Sequence, residues 1–259
     1  MNRKISALCG AALLAASFPA IAQQPTVPAK SPLETALASP DRTRAEIAQD
    51  ESRKPAEVLS FFGLKAGDQA AEFLAGGGYY ATLMASVVGK EGSVVALNPP
   101  AFMQRQPTLE RWADAMKEQP KISMRLGNFA DFKAKENAFD FAMMHLVYHD
   151  VYFESERFGI TRAEPDVFLA ELFKGMKPGG VVAVIDHVGE GKDTRALVDK
   201  THRIDPAVVK ADFAKAGFTL AAESDMLAND TDDASKNVFH PAVRGKTNRF
   251  MYKFVKPAS

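Results

Sequence analysis

The side chains able to do chemistry stand at the ends of apolar runs. Ala70-Ala71-Glu72-Phe73-Leu74 is a short apolar run carrying one acid, and Gly76, Gly77 and Gly78 follow it. Tyr79 to Val88 then has a helical pattern closed by Gly89, and Val94 to Leu97 is a second apolar run ending in Asn98. This is strand, glycine turn, helix and strand within about thirty residues, the size of one βαβ unit. Such a turn needs glycine where the backbone must approach a ligand without side chains in the way. The helix start offers free N–H groups and the positive end of a dipole. Asn98, at the tip of the second strand, sits where nucleotide-binding folds hold ribose hydroxyls.

A second group is built from histidines. His145 and His149 flank the end of the apolar run Phe139 to Leu146, Asp186-His187 closes the run Val181 to Ile185, and His202 follows a polar stretch. Asp150 and Asp205 add carboxylates. Such a cluster can supply a general base or hold a metal. No H-x-x-E-H or comparable ligand spacing is present, so no metal is expected. His149, Asp186, His187 and His202 are therefore the catalytic candidates. His149 and His202 are expected to face one cavity beyond the fourth and fifth strands, with Asp186 nearby.

The elements that must position these residues alternate. Ile122 to Leu126 reads as a third strand, Phe139 to Leu146 as a fourth and Val181 to Ile185 as a fifth, after a Lys177-Pro178-Gly179-Gly180 turn. Phe218 to Ala222 and Phe250 to Val255 complete seven. Helical patterns cover Thr108 to Glu118, Pro165 to Met176 and Pro206 to Ala216. The expectation is a doubly wound, Rossmann-like, mostly parallel sheet with helices on both faces. Ligands of such sheets bind beyond the carboxyl ends of the strands. The long polar stretch Leu227 to Thr247 reads as a lid or binding loop, and its Asn229-Asp230-Thr231-Asp232-Asp233 run as a solvated turn.

Composition is that of an ordinary globular chain: 259 residues, 46% hydrophobic and 25% charged, with 32 basic and 32 acidic side chains. That balance creates no field for nucleic acid. The first 22 residues read as a signal peptide. Arg3 and Lys4 precede a short apolar run, and Ala20-Ile21-Ala22 is an A-x-A site before Gln23. The run is too short to span a bilayer as a permanent helix. A periplasmic or secreted protein without stable membrane insertion is expected, and its only cysteine, Cys9, leaves with the leader. Residues 23–62 read as a linker and a helical arm, with Ser39-Pro40-Asp41 as a helix start and Asp50-Glu51-Ser52-Arg53-Lys54 as a solvated face. Residues 63–259 form the α/β domain.

Gly76-Gly77-Gly78-Tyr79-Tyr80-Ala81 fits both the dinucleotide fingerprint and the looser methyltransferase turn, in which an acid such as Glu72 closes the first strand. Taken with Phe139-Asp140-Phe141, the Lys-Pro-Gly-Gly turn and the closing strand pair, the chain resembles the class I S-adenosylmethionine-dependent methyltransferases over nearly its whole mature length. Thr201-His202-Arg203-Ile204-Asp205-Pro206 and Gly245-Lys246-Thr247-Asn248-Arg249-Phe250 resemble an exported group of methyltransferase-like proteins. The resemblance implies a seven-stranded sheet ending in an antiparallel hairpin, S-adenosylmethionine as cofactor and a small-molecule acceptor. It also implies that Glu72, Gly76, Gly78 and Tyr79 border the methionine moiety, that Asn98 holds the ribose and that Asn128 and Phe129 flank the adenine. A side chain at Gly78 is expected to fill ligand space. Two other readings are a binding protein that keeps the fold without turnover and, disfavoured by the missing carboxylate at position 98, a nicotinamide-dependent oxidoreductase.

Overall fold

Five strands run parallel: Gln69–Phe73 (β1), Ser93–Asn98 (β2), Ile122–Leu126 (β3), Phe139–His145 (β4) and Met176–His187 (β5). Thr219–Ser224 (β6) and Arg249–Val255 (β7) follow, with β7 antiparallel to both of its neighbours. The order β3-β2-β1-β4-β5-β7-β6 makes a seven-stranded, Rossmann-like sheet with a terminal antiparallel pair. The computed structural model describes residues 30–258 apart from Arg105 and Pro120, and the leader expected over residues 1–22 lies outside them.

The two faces follow from the period of two along each strand. In β4, Phe141 and Met143 join a core with Val58, Leu59, Phe62, Leu83 and Trp112. Ala142 and Met144 point the other way, into a core with Phe168, Leu169, Leu172, Val209 and Phe213. The first core is covered by helices Tyr79–Val88 (α4) and Gln106–Glu118 (α5), the second by Pro165–Gly175 (α6) and Pro206–Lys215 (α8). Thr194–Thr201 (α7) lies between β5 and α8 and was not foreseen, because its stretch is polar apart from Ala196, Leu197 and Val198. The Lys-Pro-Gly-Gly turn is absorbed into β5. Gly179 there takes φ 77°, and a Cβ at Gly180 would lie 2.8 Å from the Lys177 carbonyl oxygen.

The arm consists of Pro32–Leu37 (α1), Arg44–Arg53 (α2) and Pro55–Phe62 (α3). The start of α2 is not Ser39-Pro40-Asp41. It is Thr43, whose side chain accepts from the Glu46 N–H while Glu46 caps Thr43 in return. Val58, Leu59 and Phe62 of α3 belong to the first core, so a boundary after residue 62 cuts through one packing unit and does not separate two. Among the described residues no helix is long and apolar enough to cross a membrane.

Candidate functional site

The strand order reverses at β1. The chain leaves β1 for β2 and β3 on one side and returns with β4 on the other. A crevice opens beyond the carboxyl ends at such a point. Here the glycine turn follows β1, and Leu146-Val147-Tyr148-His149 follows β4. A cavity of about 540 Å³ lies in it, lined at one end by Leu74, Gly76 and Gly77 and at the other by His149, Asp150, His187 and His202. The walls between are apolar, with Leu146, Val147, Phe102, Phe153, Phe158, Ile160, Val238 and Phe239 among them.

The histidine end is held from behind. Asp186, at the end of β5, is fully buried. Its Oδ1 lies 2.8 Å from His149 Nδ1, and its two oxygens accept the backbone N–H groups of His149 and His187, each at 2.8 Å. Burial alone would pull the His149 imidazole down. The Asp186 and Asp150 carboxylates outweigh it and hold this group up at about 9. His149 Nε2 faces Asp150 at 3.4 Å. His187 is the opposite case. Burial, followed by the neighbouring His149, Arg249 and Arg203, pushes it well below the ordinary range, so it is a neutral imidazole. Its Nδ1 pairs with Thr247 Oγ1 at 2.6 Å. His202 caps α7 with φ 51°, its ring between Phe153 and Phe239, with centroids at 4.6 and 5.1 Å. His149, His187 and His202 thus meet at one cavity, with Asp186 directly behind. Asp205 does not join them; it caps α8 by accepting from the Ala207 N–H. His145 is buried under the Tyr80 ring and does not reach the cavity wall.

Residues 72–184 match the family model of a methyltransferase domain. The fold is shared with a S-adenosylmethionine-dependent methyltransferase from Aquifex aeolicus, at TM-score 0.56 and 19% identity over 82% of this chain and 96% of that one. It is also shared with phosphoethanolamine N-methyltransferase 2 of Haemonchus contortus, in complex with S-adenosylmethionine, at TM-score 0.55 and 13% identity over 88% and 60%. A third structure is the geranyl diphosphate C-methyltransferase of Streptomyces coelicolor, in complex with Mg²⁺, geranyl diphosphate and S-adenosylhomocysteine, at TM-score 0.57 and 12% identity over 85% and 88%. No curated protein matches the sequence. Over residues 72–184 the chain is similar to a methyltransferase domain, and its fold is that of the S-adenosylmethionine-dependent methyltransferases just named.

The methyltransferase turn is built differently from what its residues suggest. Gly76 lines the cavity, and so does Gly77, which sequence reasoning passed over. Gly78 does not. Its φ is 83°, and a Cβ there would meet the Trp112 ring at 3.1 Å, so its bare backbone serves the packing of α5 and not ligand space. The Trp112 indole N–H donates to the Gly76 carbonyl at 2.9 Å and pins the turn from outside. Tyr79 turns away as well, donating its phenol to Asp50 at 2.6 Å. Asn98 is fully buried and spends its amide oxygen on the Gly76 N–H at 2.8 Å, so it braces the turn. Glu72 lies within the first core, where burial pushes its carboxyl up to about 8 against the pull of Arg53. Phe129 is a core side chain, stacked 6.1 Å from Phe73 and edge-on to Phe168 at 4.8 Å.

Four buried side-chain polar atoms among the described residues nevertheless lack a partner: Glu72 Oε2, Asn98 Nδ2 and Asn128 Oδ1 along the tips of β1, β2 and β3, and His145 Nε2 at the end of β4. Buried polar atoms are rarely left so. With the bare backbone of Gly76 and Gly77, the first three fit a bound group that is polar at several points along the tips of β1, β2 and β3. Three of the five non-glycine residues with left-handed backbone among the described residues, Leu74, Leu146 and His202, line the same cavity. Strain of this kind concentrates at functional sites, and composition carries no sign of it.

Proposed function

We propose that the protein is an exported S-adenosylmethionine-dependent methyltransferase acting on a small, largely apolar acceptor that bears one proton-carrying group. The observation that carries this reading is the single cavity joining the glycine turn to the histidine end. The cofactor, when bound, supplies an electrophilic methyl group. Leu74, Gly76 and Gly77 would border it, and Asn98 Nδ2 and Asn128 Oδ1 would be its polar partners. Phe102, Phe153, Phe158 and Ile160 would hold the apolar body of the acceptor and keep water out. Methyl transfer needs mainly in-line positioning, and a base only where the acceptor must lose a proton. His149, charged at neutral pH, donates a hydrogen bond that fixes the acceptor. His187 is neutral; when its Nδ1 donates to Thr247, Nε2 is left to accept the proton.

Calorimetric titration of the purified protein with S-adenosylmethionine, S-adenosylhomocysteine and NAD tests the cofactor. The first two should bind with one equivalent and NAD should not. Saturable binding of NAD alone would overturn the reading. Once an acceptor is found, His187→Gln should lower turnover about a hundredfold while leaving S-adenosylhomocysteine affinity unchanged.

A further inference from the structure

We propose that His149, Asp150 and His202 form a divalent transition-metal site on the cavity wall. The three offer ligand atoms that all lie within 4.8 Å of one another. Asp150 Oδ1 is the hinge of the group, 3.4 Å from His149 Nε2 and 3.8 Å from His202 Nδ1. Ligands bonded at about 2.1 Å sit roughly 3 to 3.5 Å apart, so small side-chain shifts close the set. Two imidazoles and one carboxylate suit zinc, cobalt, iron or manganese and not calcium or magnesium, which prefer oxygen.

Three further features point the same way. His149 is oriented by a carboxylate behind it: Asp186 takes Nδ1 at 2.8 Å and leaves Nε2 toward Asp150. This is the arrangement that fixes metal-bound histidines elsewhere. His202 is held in a left-handed conformation that costs free energy, with its ring set between Phe153 and Phe239. All three ligand residues line the cavity, so the remaining coordination positions open onto the space for the acceptor. In the loaded protein the cation replaces the proton on His149. The ligands come from two adjacent positions after β4 and one after α7, which no local spacing reveals. The role of the metal in holding an oxygen or nitrogen of the acceptor rests on the proposed methyl transfer; the site itself does not.

The test uses the purified protein, freed of metal by chelator and titrated with Co²⁺ at pH 8. One equivalent should bind with visible d–d absorption, and Zn²⁺ should displace it. Asp150→Asn and His202→Asn should each weaken binding about tenfold or more, with circular dichroism melting near that of the parent protein. Asparagine tolerates the left-handed backbone at position 202. His240→Ala, outside the cluster, should leave binding unchanged. No saturable binding, or binding that survives both cluster replacements, would overturn the site. Co²⁺ binding without any S-adenosylhomocysteine binding would defeat the methyl-transfer reading and leave the metal site standing.

Discussion

Leu74 and Leu146 stand directly after β1 and β4 with φ of 47° and 60°, in a region that leucine enters at a cost of about 1–2 kcal/mol each. Their place on either side of the strand-order reversal makes that cost local to the cavity. Leu74→Gly should remove the strain, enlarge the space beside Gly76 and tighten S-adenosylhomocysteine binding in calorimetry, with little change in melting temperature. Affinity weakened tenfold would show instead that the leucine side chain is a ligand contact. Glu72 allows a separate prediction, on stability. Its carboxyl is raised in the folded protein to about 8 from an ordinary value of 4.5, chiefly by burial. The folded state therefore holds a proton that the unfolded chain has already lost. The contribution is complete below about pH 4.5, declines as pH rises and is gone above about 8, with a total of a few kcal/mol. Urea unfolding of Glu72→Gln should show a stability independent of this group, with its advantage over the parent protein widening between pH 5 and 8. Parallel curves for the two proteins would mean that Glu72 is ionised throughout.

At the scale of elements, the arm and the long loop were the hardest parts to read. Strand existence and order of type were legible because apolar runs of five to seven residues are bounded by glycine, proline and acids; helix α4 was legible from its glycine entry. The run Asp50 to Lys54 was not, because charge composition cannot say what a side chain faces. Asp50 bonds Arg42 at 2.5 and 2.6 Å and accepts from Tyr79, while the Arg53 guanidinium lies 4.4 Å over the Tyr79 ring. Arg111 of α5 pairs with Glu46 of α2. The arm is thus clamped to the start of α4, next to the glycine turn. Gly78→Val should act through that packing. It adds bulk 3.1 Å from Trp112 at a backbone angle valine avoids, so it should lower the melting temperature and shift Trp112 fluorescence. An intact melt with lost ligand affinity would restore the ligand-space explanation. In the acidic run of the loop Asp230, Thr231 and Asp233 are exposed, as a solvated turn requires, but the Asp232 side chain is buried. Asp232 receives both terminal nitrogens of the fully buried Arg203, at 2.6 and 3.1 Å, and Arg203 also donates to Lys236 and Val188. This pair carries Val238 and Phe239 to the cavity. Arg203→Met would strand a buried carboxylate and should cost about 3–5 kcal/mol. Adding Asp232→Leu should recover most of it, a coupling that a double-mutant cycle by urea unfolding would measure.

Over the whole molecule, the sheet places its two chemical ends on one crevice because β1 and β4 are neighbours, although residue 76 and residue 149 are far apart in sequence. That closure could be foreseen from the alternation of strands and helices. The bracing by Asn98 and Trp112 could not, since a polar residue at a strand tip reads equally as a ligand contact and as a tether. The same whole-chain view bears on where the protein works. Arg3 and Lys4, the apolar stretch after them and Ala20-Ile21-Ala22 have the order of a cleaved leader. The first described helix begins only at Pro32, beyond Gln23 to Ser31, so a peptidase cutting after Ala22 would meet a site eight residues clear of the capping box that Ser31 and Glu34 form. Mass spectrometry of the protein from its native host should therefore find an N-terminus at or near Gln23 in the periplasmic or secreted fraction, with a melting temperature equal to that of recombinant protein begun at Gln23. An intact Met1 in the cytoplasmic fraction would sink export, and the cofactor would then be met where it is made.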